Sequence, residues 1–251
     1  MKKPVVEIDS IDKIEAVKNA VTADHPLYCI KLHINQNITS IAFKKEWEGV
    51  PLVIYPAGLG AVRDLTGLLP VLKTLNIKFF LDGAMAQSYE AVQILSSLGI
   101  YSGIVINENA DWEKLTDLMY YALCDKVLHA PIEPFQYVYD MYRRNMLVDY
   151  GMVYFDNPEV FEMVSGDVFT TKGTKEAQST QETEHVNSSP AHSSTHWQKF
   201  FYESTPCAAC AAWRICLGKY AALKDKSKCA AFTTNLLQLI ENLKSPQLTI
   251  N

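Results

Sequence analysis

No stretch of this chain is apolar for long enough to span a membrane. There is also no excess of positive charge: 23 Lys and Arg stand against 28 Asp and Glu, a formal net charge of −5. A general nucleic-acid binder would carry a basic face, so that class is not expected. Lys2 and Lys3 are not followed by an apolar run, so the start does not read as a signal peptide. These absences predict a cytoplasmic protein with no membrane or nucleic-acid partner. Cysteine is scarce, with six in 251 residues. Cysteines grouped in the sequence of a cytosolic protein more often hold a metal than form disulfides.

Hydrophobic residues make up 48% of the chain, enough for a sizeable core. Ile11, Ile14, Val17 and Val21 predict a helix over 11–21. Residues 27–34 alternate as a strand, 38–43 suggest another, and 51–56 form a compact apolar strand. Gly58-Leu59-Gly60 follows that strand, but the third glycine of a dinucleotide fingerprint is missing, because position 63 is Arg63. The pair reads as a tight turn before a helix over 68–75, with Pro70 in its first turn. Residues 77–81 read as a strand. A helix capped by Ser88 and stopped by Gly99 follows, then a strand over 101–106. Asp111 caps a helix bearing Leu115, Leu118, Met119 and Ala122, and 126–129 suggest a short strand. A helix from Pro134 or Phe135 to about 145, an extended stretch at 152–155 and a last helix over 230–243 complete the pattern.

Strands alternating with helices at intervals of roughly 25 residues predict parallel βαβ units. About five strands are too few for a closed eight-stranded barrel. The expected fold is α/β, a partial (β/α) barrel-like parallel sheet over 1–164. A polar, low-hydrophobicity segment over 165–196 reads as a disordered linker or loop. A cysteine-rich helical module that binds a cluster follows over 197–251. His185, His192 and His196 lie in the polar segment without partners at ligand spacing.

Four of the six cysteines are Cys207, Cys210, Cys216 and Cys229, a C-x2-C-x5-C-x12-C pattern. Four thiolates suit tetrahedral zinc or an iron–sulfur cluster. Zinc sites usually pair two short knuckles. Here a single C-x2-C knuckle precedes the wider C-x5-C spacing, which favours a 4Fe-4S cluster, with zinc as the alternative. Buried free cysteines among alanines are the plainer reading, and the tight spacing argues against it. Cys29 and Cys124 stand alone and read as structural.

The C-x2-C-x5-C run followed by Leu217-Gly218 resembles the SPASM domain, the auxiliary-cluster module of radical SAM peptide maturases. Phe-Phe-Leu-Asp-Gly at 79–83, Leu-Ser-Ser-Leu-Gly-Ile at 95–100 and Ala-Pro-Ile-Glu-Pro-Phe at 130–135 are also similar to those maturases. They look most like members acting on Cys-repeat ribosomal peptides. The likeness covers roughly 77–229, without the polar segment. It implies a partial (β/α) barrel before the cluster module. Two departures limit what it implies. The C-x3-C-x2-C motif that binds S-adenosylmethionine through its cluster is missing, and the fuller auxiliary motif would place a cysteine where Tyr220 stands. The resemblance therefore implies a degenerate member that keeps one auxiliary cluster on Cys207, Cys210, Cys216 and Cys229. Its role would be accessory or non-catalytic, binding a precursor peptide or a partner maturase. A zinc-stabilised interaction module is the alternative. An α/β enzyme using Asp82 and Glu108, each just after a strand, ranks last, because Asp82-Gly83 reads as turn chemistry and Glu108 as a solvated loop charge.

Overall fold

The computed structural model describes residues 3–20, 27–75, 77–144, 161–165, 207, 209–211, 213–216 and 226–244. The polar segment 165–196 lies outside them except for Ser165, the last residue of a strand, and so does the stretch at 152–155. The chain is α/β. Strands β1 (Lys3–Ile8), β2 (Cys29–His33), β3 (Leu52–Tyr55), β4 (Ile77–Asp82), β5 (Ser102–Val105) and β6 (Ile132–Glu133) lie side by side in chain order. A further strand, β7 (Phe161–Ser165), pairs with the outer edge of β1. Every pairing is parallel and the sheet does not close.

Helices α1 (Lys13–Ala20), α2 (Val62–Thr74), α3 (Ala86–Ser97), α4 (Trp112–Cys124) and α5 (Phe135–Arg143) connect or follow the strands. When parallel strands are added one after another in a single direction, right-handed crossovers put their helices on the same face. Burial agrees. Val6, Ile8, Ile30, Leu32, Leu52, Ile54, Phe79, Leu81 and Ile104 pack with residues of α1 to α5 in one core. The alternate strand residues Val5, Cys29, Val53 and Phe80 form a second, smaller cluster that contains no residue of a described helix. Period-two alternation thus divides each strand between a helix-covered face and a face free of described helices.

The last helices are α6 (Trp213–Cys216) and α7 (Lys226–Lys244). Phe232 of α7 packs edge-on to Trp112 at 5.7 Å and to Phe135 at 6.2 Å between ring centres. Tyr120 and Tyr142 donate hydrogen bonds to Asn235 and Glu241 at 3.2 and 3.0 Å. Ile215, Cys216, Cys229, Leu236 and Ile240 join the main core.

Several expectations about elements are corrected. Residues 38–43 hold no strand. They contain a 3-10 turn, Ile38–Ser40, because Ile38 and Thr39 donate to the carbonyls of Gly58 and Leu59 instead of entering the sheet. Gly60 has φ +85°, and a side chain there would run into Thr39. The Gly-x-Gly pair therefore serves this loop pairing. Helix α2 begins at Val62, so Pro70 lies in its interior. Proline removes one helical bond, and burial of Leu65 and Leu72 on either side holds the helix together across it. Helix α3 begins at Ala86 after Met85, so Ser88 is no cap; its buried hydroxyl has no hydrogen-bond partner among the described residues. Residues 126–129 are not a strand. Asp125 accepts from the Val127 amide in a local turn, and the strand comes later, at Ile132–Glu133. Asp111 does cap α4, accepting from the amides of Glu113 and Lys114, and Gly99 ends α3 with φ +82°.

Among the described residues no helix is long and apolar enough to cross a membrane.

Candidate functional site

The cysteine region starts from a local turn. Cys210 donates its amide to the Cys207 carbonyl at 3.1 Å, which closes the C-x2-C segment with both side chains half-buried. The single turn of α6 then places Cys216 in the core, and α7 brings Cys229 beside it, also buried. The Cys229 thiol is raised far above the ordinary thiol range. The largest cause is its hydrogen bond with Cys216; burial follows, and then the negative charge that Cys216, Cys207 and Cys210 would place on it as thiolates. Cys207, Cys210 and Cys216 therefore all lie within electrostatic reach of Cys229. They do not stand as a finished ligand set: among the described residues no three His, Cys, Asp or Glu side chains are arranged to hold a metal ion. Their chemistry is nonetheless that of a soft-metal donor set, four sulfurs and no hard ligand. The other two cysteines are apart. Cys29 is buried on β2, and burial pushes its thiol up to about 12. Cys124 is exposed at the end of α4.

Parallel α/β sheets commonly carry sites beyond the carboxyl ends of their strands. At that edge Asp82 ends β4. It accepts from the Ala84 amide at 2.9 Å and from the Asn107 side chain. Asp82 thus holds two loops together, and its described partner across the edge is Asn107, one residue before Glu108. Beyond β1 and β2 lies an open cleft of about 480 Å³, lined by Asp9, Ser10, Asp12, Asn35, Gln36 and Lys44 among others.

A third grouping was not anticipated. On the face without described helices, Glu7, Lys31, Val53 and Lys78 stand in register across β1 to β4. Phe80, Gly103 and Glu133 stand in register across β4 to β6. Lys31 is buried and donates to Glu7 at 2.9 Å. His33 stacks on Tyr55 at 4.4 Å, and burial lowers its proton affinity. Lys78 lies 4.2 Å from the centre of the Tyr101 ring, and burial lowers its proton affinity too. Tyr101 donates its hydroxyl to Oε1 of Glu133. Glu133 is 5% exposed, and its Oε2 has no hydrogen-bond partner among the described residues. Burial raises the Glu133 carboxyl above its ordinary range; Asp140 adds to this, while Tyr101, Lys78 and the Tyr137 amide oppose it. The available sequence signal was a charge at an interior position of three largely apolar strands, Glu7, Lys31 and Lys78. Strands buried on both faces are usually apolar throughout.

Compared with protein-family models, curated proteins and solved structures, the chain matches none.

Proposed function

We propose that the chain is an accessory, non-catalytic iron–sulfur protein of ribosomal-peptide maturation. Cys207, Cys210, Cys216 and Cys229 would hold one 4Fe-4S cluster. The α/β part, taken as a partial (β/α) barrel, would bind the precursor peptide or a partner maturase. The observation that carries this reading is that Cys216 and Cys229 are buried beside each other, with Cys207 and Cys210 of one turn near enough to act on Cys229. Two further features support it: the sequential, open, all-parallel sheet, and the seating of α7, which carries Cys229, against α4 and α5. When bound, such a cluster supplies one-electron chemistry at a potential set by its burial and hydrogen bonding. The chain's own part is to present the sulfurs, two from the core and two from the surface turn.

The test is iron, sulfide and zinc content with an absorption spectrum, after anaerobic reconstitution of the full chain and of a Cys207→Ala/Cys210→Ala variant. The expected result is about four irons and four sulfides per chain with a broad band near roughly 400 nm, lost in the variant. One zinc and no iron would replace the reading with a zinc-stabilised interaction module. Neither metal would end it.

A further inference from the structure

A sheet face that serves only as packing is apolar, because every charge placed there gives up hydration. The face without described helices departs from this rule in an ordered way. Its charged residues recur on β1, β2, β4 and β6, in two registered rows, and one of them is incompletely matched. Glu7 has Lys31. Tyr101 donates to Oε1 of Glu133, and the Glu133 Oε2 has no hydrogen-bond partner among the described residues. Asp140 adds negative charge near Glu133, and among the described residues Lys78 opposes it. Among the described residues, one oxygen of this buried carboxyl is therefore left without a donor. The surroundings are aromatic: Phe80 lies in the same row, Tyr55 is 5.7 Å from Phe80 between ring centres, and Tyr101 contacts Glu133. Aromatic faces attract cations. Glu133 is on the floor, while Tyr28, Tyr55, Lys78 and Tyr101 are half-buried, so the rim is reached from solvent. Gly103 keeps the floor low. A methyl group there would come within 2.7 Å of the Phe80 ring and 3.0 Å of the Glu133 Cβ.

We propose that this face is a binding site for an organic cation, a protonated amine or guanidine, whose N–H groups pair with the free oxygen of Glu133 among Phe80, Tyr55 and Tyr101. This site is separate from the cysteine module and does not depend on its metal.

The experiment is calorimetric titration of the full chain with putrescine, which carries ammonium groups alone, and with agmatine, which adds a guanidinium. At least one should bind saturably at one site per chain, and which one binds assigns the headgroup. Glu133→Gln keeps the shape and the acceptor for Tyr101 but removes the charge. It should weaken binding by at least about tenfold, the loss expected for one charge-assisted hydrogen bond. Asp140→Asn should weaken it less, by about two- to fivefold, and decides the matter if the first variant does not fold. The Cys207→Ala/Cys210→Ala variant should bind as the native chain does. Absence of saturable binding by both amines, or unchanged affinity in Glu133→Gln and in Asp140→Asn, would overturn the proposal. If the double cysteine variant lost binding, the separation from the metal module would be wrong, and the site with it.

Discussion

The Tyr89 hydroxyl donates to the Gly83 carbonyl at 2.7 Å and accepts from the Asp111 amide at 2.9 Å, so one buried atom ties the loop after β4 to the start of α4. Tyr89→Phe leaves both backbone groups without this partner. The expected loss is about 1–3 kcal/mol in urea denaturation, because a buried group stripped of its partner keeps its desolvation cost. Gly103→Ala should lose a similar amount, about 1–3 kcal/mol, because the Phe80 ring is held by packing on the sheet face and can retreat little. Glu133 has a pH signature. Burial raises its carboxyl above the ordinary glutamate range, so between the two ranges the folded state keeps a proton that the unfolded state has released. Stability from this group is complete below about 4.5 and declines as pH rises toward the higher folded value. Denaturation midpoints from pH 4 to 8 should therefore fall less steeply for Glu133→Gln than for the native chain. Parallel curves would place the carboxyl in the ordinary range.

At the scale of elements, the helices differ in how far local sequence accounts for them. Helix α4 carries its own start signal, Asp111, with two amides bonded to one side-chain oxygen. Asp111→Ala should cost about 1 kcal/mol, read from the thermal midpoint. Helix α2 has no side-chain cap and a proline in its interior, yet it runs for 13 residues. Its local signals are poor, so a reading from local residues starts it too late; burial of Leu65 well before the proline is what extends it. Helix α7 depends on tertiary contacts of another kind. Phe232 touches rings from both α4 and α5. Phe232→Ala should cost about 3–5 kcal/mol and raise amide exchange along α7 more than along β3 or β4. Equal exchange throughout would mean that α7 opens only with the rest of the chain. Because Cys229 rides on α7, the proposed cluster reading expects this variant to take up less iron on reconstitution.

For the whole molecule, strand order governs where everything else can lie. Chain-order addition puts the crossovers on one side, so the apolar residues of the described helices are concentrated in one core, and the opposite sheet face carries a separate, smaller cluster. Parallel α/β character, the strands at 51–56 and 77–81, the Asp111 cap and the Gly99 stop were legible in the sequence, because each rests on period-two or period-3.6 spacing, or on one residue's backbone preference. Residues 38–43 and 126–129 were misread, since short apolar runs do not show whether a neighbouring strand or a nearby loop will take their amides. The cysteines were legible as a group from their spacing. That Cys216 meets Cys229 depends on α6 and α7 folding back together, which spacing does not encode. Glu133 was invisible as a partner of Tyr101. The two are 32 residues apart, and they meet through the register of β5 with β6, a property of long-range pairing. Local pattern therefore determined the class of fold, an open parallel α/β sheet. Only the tertiary structure decided which face each strand charge occupies and which carboxyl oxygen goes unmatched, because both follow from how separate strands align.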